Sequence, residues 1–247
     1  MTALSPQQLA QERLAGITGI NPSTLQEGRS IKSVQVFEAP VRAWHWINAV
    51  AITLLCVTGY FIGSPLPTMA GEASAHFLMG YIRFAHFASG YILAVGFLGR
   101  VYWAFAGNYH AREMFTVPVF QKAFWREVLF MARWYLFLVP RPNQFVGHNP
   151  ASRLAMFGYM LVSVFMIVTG FALYGEGTQA GSWQNQMFGW VIPLFGQSQD
   201  VHTWHHLGMW AMVMFVTIHV YAAIREDIMG RQSMVSTMIS GRRTFKE

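Results

Sequence analysis

Cysteine and charge are both scarce in this 247-residue sequence. The single cysteine, Cys56, excludes an internal disulfide and any zinc or iron-sulfur site that the chain would build from cysteines alone. Any bound metal must therefore use histidine ligands. Charged residues make up only 11% of the chain, whereas 53% are hydrophobic and 15% are aromatic. This composition indicates an integral membrane protein.

Four segments contain so little charge that they can cross a hydrocarbon core about 30 Å thick, which takes about 20 residues. The second segment includes Arg83 and Arg100, whose long side chains can reach water from its two ends. We predict an all-α integral membrane bundle of four transmembrane helices. Its predicted spans are residues 44–63, 77–105, 154–175 and 201–224.

Lysine and arginine are absent from the predicted loops 64–82 and 176–200. Because cytoplasmic flanks carry the positive excess, we predict that both termini and the middle loop are cytoplasmic, in a cell inner membrane. The first forty residues lack the pattern of a secretory signal, so they are predicted to form a polar cytoplasmic tail. Attraction to the anionic inner leaflet accounts for the net charge of +6, and we expect no nucleic-acid partner.

Residues 116–139 of the middle loop have a different pattern from the spans. Apolar residues recur at helical intervals, with lysine and arginine on the opposite face. This pattern predicts an interfacial helix, with Thr116 as its cap and Pro118 in its first turn. The alternative is that its C-terminal part is a short re-entrant or fifth membrane segment. The predicted domains are a tail (1–40), a membrane domain (41–226) and a second cytoplasmic tail (227–247).

Two histidines, His205 and His219, lie fourteen residues apart in a span without any Asp, Glu, Lys or Arg. That spacing is about 3.9 helical turns and about 21 Å, so both rings leave one helix face near opposite ends. The chain direction places His45 at the depth of His219, and His86 at the depth of His205. Two opposed imidazoles can bind a haem iron and leave no open position for oxygen or substrate. We predict an inner pair, His45 and His219, and an outer pair, His86 and His205.

Three arginines accompany the candidate ligands. Arg42 and Arg83 each precede one of these histidines by three residues, and Arg100 follows His86 by fourteen. Arg100 therefore shares the face of His86 at the depth of the inner pair. Haem propionates are anionic, so we predict that the three arginines bind them. The alternatives are that the arginines only reach toward water, and that His45 belongs to an interfacial aromatic belt.

Two long stretches resemble the cytochrome b subunit of nickel-iron hydrogenases. They are RAWHWINAVAITLLCVTG at 42–59 and HTWHHLGMWAMVMFVTIH at 202–219. The resemblance also includes VFEAPVRAWHW, MGYIRFAH and YAAIREDIMG and covers nearly everything after Val34. It implies four spans, two b-type haems, and electron transfer from the small and large subunits of an extracytoplasmic hydrogenase to membrane quinone. The subunit would not be an enzyme on its own. The family's ligand positions fall on His45, His86, His205 and His219.

Two other functions fit parts of the sequence. His202, His205 and His206 match the HxxHH box of membrane di-iron desaturases and hydroxylases. Those enzymes need several such boxes on the cytoplasmic side, whereas this chain has one, on the predicted outer side. A membrane anchor that docks a partner without any cofactor is the second alternative. It would leave four intramembrane histidines unexplained.

Overall fold

A computed structural model of the chain describes residues 32–67 and 70–245. The four longest helices are each long and apolar enough to cross a membrane, which confirms the predicted all-α bundle of four spans. Most of them extend past the predicted bounds, because a helix can continue into the polar interface. In chain order, the elements are β1 (Lys32–Gln35), α1 (Ala39–Gly63), a 3₁₀ turn (Ala73–Ala75), α2 (Leu78–Ala106), α3 (Tyr109–Arg112), α4 (Lys122–Tyr135), α5 (Pro150–Glu176), α6 (Trp183–Phe188), α7 (Val191–Phe195), α8 (Ser198–Met229), α9 (Met234–Ser240) and β2 (Arg242–Phe245).

The start of α5 is determined by its local sequence. Asn149 is the N-cap, and its side-chain oxygen accepts a hydrogen bond from the Ser152 amide at 2.8 Å. Pro150 follows as the first helical residue, where the missing N–H would have had no partner within the helix. The cap fixes where α5 begins and therefore the depth of every residue along it.

The interfacial helix α4 is shorter than the predicted range of 116–139. Gln121 is its N-cap, whereas the hydroxyl of Thr116 donates to the Arg112 carbonyl at 3.1 Å and so caps nothing in α4. Pro118 lies in a separate turn that ends before the helix begins. Met131 and Trp134 are fully buried on the face that packs against α5, while Arg133 is exposed. The helix ends at Tyr135, and the chain is irregular up to Asn149.

Both segments that flank the membrane domain contribute a β-strand. Strands β1 and β2 pair antiparallel, with Val34 opposite Arg243, so the region before α1 is joined to the C-terminal segment. Glu38 then links the start of α1 to the end of α2, because its carboxylate accepts from the Trp103 indole and the Asn108 amide, both at 3.0 Å. The predicted C-terminal tail therefore contains α9 and β2, while most of the predicted N-terminal tail lies outside the described residues.

The centre of the bundle is a layer of buried apolar side chains, one from each span. These are Ile52, Leu93, Met160 and Met212, packed in one cluster. Met212 is seven residues from both His205 and His219 on α8, so this layer lies midway between the two histidines. These apolar side chains thus separate the level of His205 from the level of His219.

Candidate functional site

The structure brings the four candidate histidines together as two facing pairs. The ring centroids of His45 on α1 and His219 on α8 are 6.2 Å apart. Those of His86 on α2 and His205 on α8 are 6.5 Å apart. The fourteen-residue spacing along α8 therefore presents one ring to each level of the bundle, and α1 and α2 each supply the opposing ring.

Both spacings fit an iron held between two imidazoles. With metal–nitrogen bonds of about 2 Å on each side, two opposed imidazole rings have centroids about 6 Å apart. Within residues 32–67 and 70–245, no group of three or more His, Cys, Asp or Glu side chains is arranged to hold a metal ion. A haem needs no third protein ligand, because its macrocycle supplies the other four nitrogens. The donor set at each level therefore fits a haem.

A cavity of about 810 Å³ lies beside the outer pair, within the size range of cofactor pockets. Its lining is largely apolar and includes both outer histidines, Arg83 and several glycines. A side chain added at Gly90 would meet nothing within 4 Å. A Cβ at Gly59 would lie 3.2 Å from Cε1 of His86, and one at Gly170 would lie 3.2 Å from Cε1 of His205. The two latter glycines thus let the imidazoles approach the backbone of α1 and α5.

Sequence reasoning missed two threonines that contact the outer histidines. The hydroxyl oxygen of Thr58 lies 2.9 Å from Nδ1 of His86, and that of Thr169 lies 2.8 Å from Nδ1 of His205. A sequence signal does exist, because the tripeptide Val-Thr-Gly occurs at 57–59 and again at 168–170. Each copy places its threonine and its glycine against the same histidine ring.

The inner pair has different surroundings. The His219 ring stacks on Phe215, with centroids 5.7 Å apart and an interplanar angle of 10°. Phe215 in turn stacks on Tyr159 at 4.9 Å, and the Tyr159 hydroxyl accepts a hydrogen bond from Asn48. Nδ1 of His45 is buried and has no hydrogen-bond partner among the described residues. Aromatic contacts therefore orient the inner rings.

The three predicted arginines differ in their environments. Arg100 is only 3% exposed; its Nη2 donates to the Ala111 carbonyl, while Nε and Nη1 have no partner in the described part of the chain. Its guanidinium lies 5.5 Å from the centroid of the Trp44 ring, next to the inner pair. Arg42 donates from Nη1 to the Ile239 carbonyl of α9. Arg83 is exposed at the cavity of the outer pair. Of these three arginines, Arg100 is the one that is buried as a whole and has two side-chain nitrogens without a partner among the described residues.

Two buried carboxylates, Glu113 and Glu226, accept hydrogen bonds from the loops and from α4. Nδ1 of His110 and Nδ1 of His148 lie 2.9 and 3.0 Å from the carboxylate of Glu113. Burial acts to raise the pKa of Glu113, but its hydrogen bonds from His148 and His110 outweigh burial and lower the pKa to about 2. Glu226 accepts from Tyr135, and burial together with the Glu226 charge raises the pKa of that tyrosine. These groups fasten α4 and the loops to the bundle.

His202 and His206, the other histidines of the HxxHH box, belong to no group of three or more potential metal ligands among the described residues. His202 is exposed at the mouth of the cavity. Nε2 of His206 accepts a hydrogen bond from the Trp210 indole at 3.2 Å, so that nitrogen is already engaged. The HxxHH box of the di-iron alternative is therefore distributed over different helix faces, and only His205 faces a second histidine across the bundle.

Comparison with known proteins identifies the family of this chain. The family described as prokaryotic cytochrome b561 matches residues 36–241. A probable Ni/Fe-hydrogenase B-type cytochrome subunit of Cupriavidus necator is 66% identical over 97% of this chain and 99% of its own length. A subunit of the same name from Bradyrhizobium diazoefficiens is 57% identical over the full length of both chains. The probable Ni/Fe-hydrogenase 1 B-type cytochrome subunit of Escherichia coli K12 is 51% identical over 90% of this chain and 95% of its own. The chain therefore belongs to the prokaryotic cytochrome b561 family.

Proposed function

We propose that this protein is a di-haem b-type cytochrome that anchors a Ni/Fe hydrogenase to the membrane and passes its electrons to quinone. His86 and His205 would hold the haem on the hydrogenase side, and His45 and His219 the haem on the quinone side. The observation that carries the proposal is the pair of centroid separations, 6.2 and 6.5 Å, at two levels of one bundle. The protein would have no hydrogen-splitting chemistry of its own.

When bound, each haem would supply a site that takes up and releases one electron, and the two imidazoles of each pair would hold it. The protein's own contribution is to hold the rings and to keep water out. Ile52, Leu93, Met160 and Met212 form an apolar layer between the two levels. Arg100 would donate to an anionic propionate at the inner level from Nε and Nη1, which have no partner among the described residues. Arg83 would do so at the outer level and Arg42 at the inner end, where its Nε also has no partner among the described residues.

The hydrogenase partner is proposed from the relatives, whose names describe hydrogenase cytochrome subunits. The segment between α5 and α8 contains no lysine or arginine and is expected to face the outer side. It presents exposed apolar side chains on α6 and α7, namely Trp183, Met187, Trp190 and Leu194. Such a surface suits a protein partner. Quinone would then bind at the opposite end, near the inner pair.

Haem stoichiometry in purified variants tests the proposal. We expect two haems b per chain in the natural sequence, and one after His205→Ala or His219→Ala. The remaining haem should be the inner one in the first variant and the outer one in the second, as judged by their midpoint potentials. His206→Ala is the matched control, because it removes a neighbouring imidazole of α8 whose Nε2 already accepts from Trp210.

The outcomes separate the three functions. Two haems retained in the His219→Ala variant would overturn the ligand assignment. The absence of haem from the natural protein would favour the membrane anchor without a cofactor. Non-haem iron lost together with His202, His205 and His206 would favour the di-iron enzyme.

Cysteine labelling tests the orientation in the membrane. Cysteines introduced between α5 and α8 should react with an impermeant thiol reagent on intact cells lacking the hydrogenase, and labelling only after lysis would reverse the orientation.

A further inference from the structure

Each histidine of the outer pair contacts a threonine of a neighbouring helix through Nδ1 of its ring. Thr58 Oγ1 lies 2.9 Å from Nδ1 of His86, and Thr169 Oγ1 lies 2.8 Å from Nδ1 of His205. Both threonines are buried, at 8% and 1% exposure. Solvent therefore competes little for either hydrogen bond.

The direction of these hydrogen bonds follows from the single proton of a hydroxyl group. Thr58 donates its proton to the Leu54 carbonyl at 2.5 Å, and Thr169 donates to the Phe165 carbonyl at 2.7 Å. A threonine that donates to its own helix can only accept from the histidine. Nδ1 of each outer histidine must then carry the proton. Its Nε2 is left unprotonated, with a lone pair available for a metal.

We propose that Thr58 and Thr169 are positioning residues that fix the tautomer of the outer histidines and raise their basicity as axial ligands. The inference rests on the proposed function, because it takes His86 and His205 as ligands. A partner that accepts from the distal N–H of a bound imidazole both orients the ring and makes it a stronger donor to the metal. The same chemistry is absent at the inner level, where Nδ1 of His45 has no hydrogen-bond partner among the described residues.

The glycine that follows each threonine leaves room for the same histidine ring. A Cβ at Gly59 or Gly170 would be 3.2 Å from Cε1 of the ring that its neighbour binds. The glycine therefore allows the imidazole close enough to the helix for the hydroxyl to reach Nδ1. Thr58–Gly59 on α1 and Thr169–Gly170 on α5 are two copies of one arrangement, acting on two facing rings.

The test is a redox titration of the purified holoprotein with Thr58→Val and Thr169→Val, each an isosteric loss of the hydroxyl. A less basic imidazole stabilises ferric iron less, so the potential of the outer haem should rise. We expect a few-fold larger ratio of reduced to oxidised outer haem at a fixed ambient potential, and an unchanged ratio for the inner haem. Thr58→Ser and Thr169→Ser should restore the natural values.

Matched controls come from the same two helices. Thr53 on α1 donates to the Ala49 carbonyl, and Ser163 on α5 donates to the Tyr159 carbonyl, both at 2.8 Å, and neither hydroxyl contacts a histidine. Thr53→Val and Ser163→Ala should leave the outer potential unchanged. An equal shift in these controls, or an unchanged outer potential in both valine variants with haem bound, would overturn the role of the threonines.

A measurement on the natural protein does not depend on how well the variants fold. In ferrous protein labelled with ¹⁵N-histidine, Nδ1–H of His86 and His205 should be visible by NMR and slow to exchange with D₂O. Fast exchange at both would contradict the proposal. Failure of the haem assignment is distinguishable, because His86→Ala and His205→Ala would then keep two haems.

Discussion

The outer and inner histidine pairs have nearly the same spacing but different supports. At the outer level, hydroxyl groups hold the rings of His86 and His205 through Nδ1. At the inner level, Phe215 stacks on the His219 ring, and a buried arginine lies close by. A hydrogen bond to a ligand changes its basicity, whereas stacking mainly restricts its motion. In the proposed di-haem protein, the two sites would therefore be tuned through the ligand at one level and through nearby charge at the other.

This difference suits sites that exchange electrons with each other. A more basic ligand favours the oxidised state, and a buried positive charge favours the reduced state. Both effects would lower the potential of the proposed outer haem relative to that of the inner one. Electrons that arrive at the outer level would then be drawn toward the inner level, in the proposed direction.

The largest effect is expected from filling the space between an outer histidine and its supporting helix. Gly170→Val or Gly59→Val would press methyl groups onto a ring that even a single Cβ would approach to 3.2 Å. Overpacking of this kind costs about 1–3 kcal/mol and displaces the ring. We expect each variant to lose most of the outer haem and to retain the inner one, measured as haem per chain.

Gly99 provides the control for this substitution. A Cβ at Gly99 would meet nothing within 4 Å, although the residue also lies in a membrane-spanning helix. Gly99→Val should therefore keep both haems. Equal loss of haem from the Gly99 and Gly170 variants would mean that valine disturbs the helices in general and that the ring contact is irrelevant.

The next effect concerns the charge at the inner level. Arg100→Gln removes a buried guanidinium and should lower the inner midpoint potential, because the reduced site is more negative and loses a compensating charge. Arg83→Gln should lower the outer potential by less, because Arg83 is exposed and water screens its charge. Redox titration of both variants measures the two shifts.

Arg100→Lys separates charge from geometry. It keeps the positive charge but loses the planar set of donors. The inner potential should then remain closer to the natural value than in Arg100→Gln. If Arg100→Gln leaves both potentials unchanged with both haems bound, Arg100 serves only to join α2 to the Ala111 carbonyl.

Some of this asymmetry could be predicted from the sequence and some could not. Hydropathy is a local property, so the four spans were predictable, and the fourteen-residue spacing on α8 gave the two levels. The partner of each histidine Nδ1 depends on which helix packs beside it, which no local pattern specifies. Thr58 and Thr169 therefore went unnoticed, although both stand in Val-Thr-Gly. The contact of Arg42 with the Ile239 carbonyl could not be predicted for the same reason, because the two residues are 197 positions apart.

A smaller effect is expected at the stacked ring of the inner pair. Phe215→Leu removes the flat surface against His219, a contact worth about 0.5–1.5 kcal/mol beyond its buried area. Both haems should remain bound, but the low-spin ferric EPR signal of the inner haem should broaden as its imidazole samples more orientations. The outer signal should stay sharp, because Phe215 lies ten residues beyond His205. A change confined to the outer signal would reverse the assignment of the two levels.

Replacing Glu113 is expected to have the smallest effect on the haems but a measurable effect on the stability of the folded protein. Its pKa of about 2 lies below the ordinary 4.5, so its ionised form stabilises the folded state. That contribution is complete above about pH 4.5 and is lost as the pH falls toward 2. The melting temperature of the detergent-purified protein should drop across this window by more in the natural sequence than in Glu113→Gln.

At neutral pH, Glu113→Gln should itself lower the melting temperature, because an amide accepts less strongly from His110 and His148 than a carboxylate does. A loss of about 1–3 kcal/mol is expected for a buried, charge-assisted pair. Glu127→Gln is the control. Among the described residues, the Glu127 carboxylate accepts one hydrogen bond, from the exposed side chain of Asn143 at 3.0 Å. Because Glu113 holds the loops and contacts neither histidine pair, both potentials should be unchanged in its variant. A shift of the inner potential alone would instead mean that the charge of Glu113 contributes to the difference in midpoint potential between the two levels.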